Sequence, residues 1–164
     1  MKQRPFELWL MVVVVALDQA TKALVRARMP LQSTVEVIPD VLNFTHIRNT
    51  GAAFGVLNAV DFPYKTALLT GVAVIALATI GMYAASLGRD QVLARFGLAL
   101  VVGGAGGNLI DRVAIGSVVD FVDVYWRDYH FWAFNVADSA ITVGVVVVIL
   151  DMMGFGNTHV SETA

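Results

Sequence analysis

Of the chain's 164 residues, 57% are apolar and only 15% are charged, against about 45–50% and about 25% in an ordinary soluble domain. With a mean hydropathy of +0.71, that composition argues against a cytosolic enzyme, and a net charge of −2 offers nothing to a nucleic-acid partner. The absence of cysteine excludes disulfides, thiolate metal sites, a Cys nucleophile and lipid attachment to a Cys of the chain itself.

A helix crossing the bilayer core of about 30 Å needs about 20 mostly apolar residues, and four stretches meet that demand. The first is predicted over about 6–26, around LWLMVVVVAL. Lys2 and Arg4 ahead of it resemble the start of a secretory signal peptide, but no A-x-A cleavage pattern follows. Asp18, Gln19 and Lys22 follow instead, so the run is expected to stay as a transmembrane helix. Asp18 and Lys22 are four apart, share one helical face and can pair.

Next comes a long stretch without helical period, Met29 to Pro63. Within it STVEVIPDVLNFTHI sets two β-rich runs on either side of Pro39-Asp40, which predicts a small hairpin or sheet outside the bilayer core. The β-rich insert covers about 30–58. RNTGAAFG then reads as a turn around Asn49 and Gly51. Loops of this length are usually functional or disordered, and this one is too apolar for disorder.

The second span is predicted over about 64–87 and the third over about 92–110. The GGAGG run at 103–107 lies inside the third span with no Lys-Ser/Thr after it, so it is not a phosphate loop. Gly103 and Gly107 form a small-xxx-small pair suited to close helix packing, with room beside it for a substrate helix. Asn108, Asp111 and Arg112 are expected to end this span. Seven of the fourteen residues from Phe121 to Phe134 are aromatic, and Tyr and Trp favour the membrane–water boundary. That stretch is read as an interfacial segment lying on the bilayer, with Asp123 and Asp128 as solvated loop charges. The fourth span is predicted over about 136–155, with Asn135, Asp138 and Thr142 lined along one face.

An even number of spans puts both termini on one side. Lys2, Arg4, Arg89 and Arg95 favour termini inside the cell, whereas Lys22, Arg26, Arg28, Arg48 and Lys65 favour the reverse, so charge counting leaves the orientation open. Ionisable residues within membrane segments are costly and are functional candidates. A helix N-terminus accounts for Asp138 alone. It does not account for Asp111, Asp120, Asp123, Asp128 and Asp138 crowding one end of the same pair of spans. Two carboxylates that share a site raise one pKa, so one can take a proton from water while the other donates one. Neither H-E-x-x-H nor G-x-S-x-G occurs, and His46, His130 and His159 are scattered. No metal site and no cofactor are expected. The residues alone leave open a hydrolase, a small proton-coupled transporter relaying protons through intramembrane Asp residues, and a non-enzymatic assembly factor. The inverted repeats or broken helices that would favour transport are not evident.

The blocks LDQATK (17–22), RNTGAAFG (48–55), GGAGGNLIDR (103–112), VVDF (118–121) and FNVADSAI (134–141), in this order and spacing, resemble the bacterial lipoprotein signal peptidase family, signal peptidase II. The resemblance covers nearly the whole chain. It implies an all-α polytopic membrane protein, residues 1–164 forming a single membrane-embedded peptidase domain. Four transmembrane helices would carry a small extracytoplasmic β-cradle and a periplasmic half-helix, the two unusual segments noted above. It implies an aspartyl endopeptidase that removes signal peptides from diacylglyceryl-modified prolipoproteins, cleaving just before the lipidated cysteine. The catalytic dyad would fall on Asp120 and Asp138. Substrate-binding or supporting roles would fall on Asp18, Lys22, Asn49, Gly51, Asn108, Asp111, Arg112 and Asn135. The expected partners are the prolipoprotein and membrane lipid, and a monomer is expected. The family's plan places both termini in the cytoplasm and the dyad near the outer face of the inner membrane.

Overall fold

The computed structural model describes residues 5–51, 57, 60 and 62–155. Its helices are α1 (Pro5–Arg28), α2 (Lys65–Ser86), α3 (Val92–Ile115) and α4 (Val136–Met152). Its strands are β1 (Thr34–Ile38), β2 (Leu42–Asn49), β3 (Val118–Trp126) and β4 (Tyr129–His130). Among the described residues three helices, α1 to α3, are long and apolar enough to cross a membrane. α4 has 17 residues, about 25 Å at a rise of about 1.5 Å per residue.

The distribution of side chains is the reverse of a water-soluble protein. Trp9, Leu17, Leu68, Ile75, Met82 and Val146 are exposed, while Asp18, Lys22, Asn108, Asp111, Asp120 and Asn135 are buried. Hydrocarbon around the helices makes the first set favourable, and polar groups must then satisfy one another inside. α1 shows the rule in its sequence: Val14, Asp18, Lys22 and Val25 are its buried positions, at helical spacing on one face.

α3 packs against all three other helices, and its glycines make that possible. A Cβ at Gly103 would lie 3.1 Å from Val14 Cβ, and one at Gly107 would lie 2.6 Å from Asp18 Oδ2. At Gly104 it would strike the carbonyl oxygen of Ala137. The small-residue packing expected from GGAGG is therefore present, but the protein's own α1 and α4 fill the space. The room for a substrate helix expected there is not available.

The short link between α2 and α3 puts the α1–α2 and α3–α4 connections together at the opposite end of the helices. Both connections form strands, and β2 pairs antiparallel with β3 in a sheet of order β1-β2-β3-β4. The hairpin expected around Pro39-Asp40 is β1–β2, its turn closed by the Val41 N–H donating to Ile38 O at 3.1 Å. Much of the stretch read as an interfacial aromatic segment is strand, β3 running through Trp126 and β4 following at Tyr129–His130. VVDFVDVYW is rich in β-branched and aromatic residues, which suit a pleated surface, and β2 supplies the edge it pairs with. No half-helix occupies the described residues there. Asp123 is likewise corrected from a solvated loop charge to a buried sheet residue, accepting from Asn43 Nδ2 at 3.1 Å and His130 Nδ1 at 3.0 Å. Asp128 is exposed in the following turn.

α3 also runs beyond the end expected near Ile110. Asn108, Asp111 and Arg112 lie inside it, because partners from α1 compensate Asp111 and the helix need not stop there. It ends at Gly116, whose φ of +73° and N–H bond to Arg112 O at 3.1 Å form a left-handed cap that glycine adopts without strain.

Candidate active site

Three helix ends and two strands bring the polar residues together. In α1, Lys22 Nζ lies 2.8 Å from Asp18 Oδ2 and 3.2 Å from Asp111 Oδ2 of α3, and it donates to Asn108 Oδ1 at 2.9 Å. Asp18 Oδ1 accepts the N–H of Ala137 at 3.0 Å. That N–H belongs to the first turn of α4, where backbone donors lack intrahelical partners and an anion is favoured. Asp18 thus caps a helix other than its own. Asp111 Oδ2 accepts the N–H of Val119 at 3.0 Å, fixing the start of β3 one residue before Asp120. These contacts explain why two buried aspartates and a buried lysine persist among apolar helices: each charge is paired and hydrogen-bonded.

Asn135 occupies the centre. It is the N-cap of α4, in extended conformation, and it forms a reciprocal capping box with Asp138. Asn135 Oδ1 accepts the Asp138 N–H at 3.0 Å, and Asp138 Oδ2 accepts the Asn135 N–H at 3.2 Å. The same side chain turns its Nδ2 toward Asp120 Oδ1 at 2.7 Å. One residue therefore holds both carboxylates. Asn108 donates to the other oxygen of Asp138 at 2.8 Å, and Asn49 donates to the other oxygen of Asp120 at 3.1 Å. The β2–β3 register delivers Asn49, since Ile47 stands opposite Asp120 and Asn49 is two residues further along that face. Gly51 donates its N–H to Asn49 Oδ1 at 2.9 Å and accepts from Arg112 at 3.3 Å.

Asp120, outside the spanning helices, is buried. That desolvation, followed by the charge of Asp138, pushes its carboxyl up to about 7, even though the Asn49 and Asn135 amides and Lys22 favour the ionised form. A carboxyl with that affinity still carries a proton near neutrality, so one of these two groups can donate while the other accepts.

All ten residues expected from the motifs meet in this cluster. The remainder of RNTGAAFG, residues 52–55, lies outside the described residues. Three participants were not among the expected site residues. Gln19 Nε2 donates to Asp18, Gly107 O and Asp111 at 3.1–3.3 Å. Arg26 lies 3.5 Å from Asp111. Lys65 holds the chain beside Asn49. The signal for Arg26 was its i+4 spacing from Lys22. Lys65 had none, since its partners are in a loop.

A family model described as signal peptidase (SPase) II matches residues 10–154. The chain belongs to the signal peptidase II family. Proteins named lipoprotein signal peptidase are similar to it over most of its length. The one from Geobacter sulfurreducens is 50% identical over 137 residues, 84% of each chain. The one from Syntrophotalea carbinolica is 44% identical over 162 residues, 97% of this chain and 99% of its own. A solved bacterial membrane enzyme has a similar fold, with a TM-score of 0.83 at 31% identity, over 98% of this chain and 95% of that one. A second has a TM-score of 0.81 at 33% identity, over 92% and 94%.

Proposed function

We propose that Asp120 and Asp138 are the reacting carboxylates of this signal peptidase II. As a family member the chain is an aspartic endopeptidase of the bacterial inner membrane that removes signal peptides from prolipoproteins. Family membership leaves the proton-transporter reading without support. The observation that carries the assignment of the two aspartates is Asn135, which hydrogen-bonds both of them.

In the proposed reaction the pair holds one proton. The ionised carboxylate takes a proton from water as the water oxygen attacks the scissile carbonyl carbon. The protonated carboxylate gives its proton to the carbonyl oxygen, leaving a neutral gem-diol. Collapse of the diol breaks the C–N bond. The first carboxylate passes its new proton to the departing amine, and the second recovers one from the diol hydroxyl. Asn49, Asn108 and Asn135 fix the carboxylate planes. Asp18, Lys22 and Asp111 hold the elements that carry them, and Arg112 anchors the Gly51 bend.

The same reading places the scissile bond just before a diacylglyceryl-modified cysteine. The whole chain acts as one membrane-embedded peptidase domain, as a monomer, with α4 as a fourth span. Both termini are cytoplasmic and the sheet end faces outward. Trp126, Tyr129 and Trp132, 61–75% exposed on and after the β3–β4 hairpin, would sit at the headgroup level that such side chains favour. In vitro cleavage of a diacylglyceryl prolipoprotein by purified Asp120→Asn, Asp138→Asn and the double variant tests the assignment. Each single change is expected to cost about 10³-fold or more, and nearly as much as both together. Substantial cleavage by folded Asp120→Asn would remove it from the pair.

A further inference from the structure

α2 contributes one buried side chain among its described residues, Lys65. This lysine opens the helix, where unpaired N–H groups make a cation unwelcome, and it is only 6% exposed. A buried ammonium persists where acceptors replace its water. Lys65 Nζ donates to Thr50 Oγ1 at 3.1 Å and to Val60 O at 2.7 Å.

Thr50 is the middle of three consecutive residues with separate tethers. Asn49 before it donates to Asp120, and Gly51 after it is held by Arg112 and by Asn49 itself. We infer that Lys65 is a positioning residue for the peptidase reaction, holding the Asn49–Gly51 bend so that the Asn49 amide stays on Asp120. The inference rests on Asp120 being a reacting carboxylate. The action of Lys65 runs through Thr50 and the backbone to Asn49.

The test measures kcat, KM and the pH–rate profile of Lys65→Met and Lys65→Arg on a diacylglyceryl prolipoprotein, in wild-type and Asn49→Ala backgrounds. Lys65→Met is expected to lower kcat about 10- to 100-fold, the scale of a misplaced reacting group, with KM changed less than about threefold. Lys65→Arg, which keeps the cation, should recover most of that loss. The Asn49 bond favours ionised Asp120, alongside Lys22 and Arg112 and against Asp138. Loosening it should therefore move the alkaline limb to higher pH. In the Asn49→Ala background, Lys65→Met should cost less than about threefold more, because the two act through one contact. Full additivity, or an unmoved alkaline limb, overturns the inference. If Lys65→Met does not fold, Thr50→Val removes one acceptor and should give a smaller kcat loss with the same limb shift. An unmoved limb there is equally fatal. Asp120→Asn assayed alongside separates the two readings. If it is inactive and the limb stays put, only the role of Lys65 fails; if it cleaves, both fail.

Discussion

Lys22 Nζ lies 2.8 Å from Asp18 Oδ2, and neither side chain has exposed surface. The same ammonium meets Asp111 and Asn108, so it joins the helix packing to the hydrogen bond that Asn108 gives Asp138. Removing one member of such a buried set leaves a charge without a partner, at a cost of about 3–5 kcal/mol. Lys22→Met is therefore expected to lower the melting temperature in detergent and the cleavage rate together. Asp111→Ala should do the same, because it also frees the Val119 N–H. Wild-type melting with no cleavage in Asp111→Ala would instead put Asp111 in direct contact with the reaction.

The carboxyl of Asp120, raised to about 7, makes stability depend on pH with a definite sign. An unfolded aspartate titrates near about 3.9. Between these values the folded protein binds more protons than the unfolded chain, so stability falls as pH rises. The contribution is fully present below about pH 4 and lost as pH passes about 7. Asp120→Asn keeps the shape and removes the titration. Its melting temperature relative to wild type is expected to rise between about pH 5 and about pH 8. A difference that stays flat across that range would contradict the raised carboxyl.

Glycines on α3 divide into those that touch a neighbouring backbone and those that do not. A Cβ at Gly104 would strike the Ala137 carbonyl and lie 2.8 Å from Ile141 Cγ1. The carbonyl cannot rotate away, so α4 would move and carry Asp138 with it. Gly104→Ala is expected to cost about 1–3 kcal/mol and most of the activity. A Cβ at Gly106 meets Val15 Cγ2 at 3.7 Å, an ordinary contact. Gly106→Ala should leave melting unchanged or raise it, by up to about 1 kcal/mol of helix propensity. Thermal melts and cleavage rates of the two variants decide the contrast.

What could be read from the residues depended on how local the cause was. Apolar runs and the Pro39-Asp40 turn are local, and α1, α2, α3 and the β1–β2 hairpin follow from them. Asp18 and Lys22 are one helical turn apart, so their pairing was legible too. β3 was not, although VVDFVDVYW has strand composition, because its density of aromatic residues also suits a membrane boundary. Only pairing with β2, from a distant part of the chain, makes it a strand. The burial of Asp123 follows from that pairing. The candidate site residues were legible through the motif blocks. Their geometry was not, since Asn135 reaches Asp120 only after the strand and the helix have been placed.

The last prediction is that cleavage requires a lipid on the substrate cysteine. Asp138 lies in the first turn of α4, about 5 Å along the helix from its N-cap at about 1.5 Å per residue. Asp120 lies near the start of β3 and is fixed to the same depth by Asn135. Neither carboxylate can follow a substrate that moves along the membrane normal, because α1, α3 and α4 are locked by buried ion pairs and close glycine contacts. The substrate must therefore be held at the right depth by the bilayer. A diacylglyceryl group buries two acyl chains, at about 0.8 kcal/mol per CH₂, and sets its cysteine at a defined level. The peptide bond just before that cysteine then lies level with the pair. An unlipidated signal helix can slide or tilt, and lost alignment of this kind can remove several kcal/mol of rate enhancement. Cleavage of one prolipoprotein with and without diacylglycerol, in the same detergent and at concentrations where both bind, measures the effect. The lipidated form is expected to have a kcat at least about 100-fold higher. Equal kcat values would show that the enzyme sets the register of the bond by protein contacts alone.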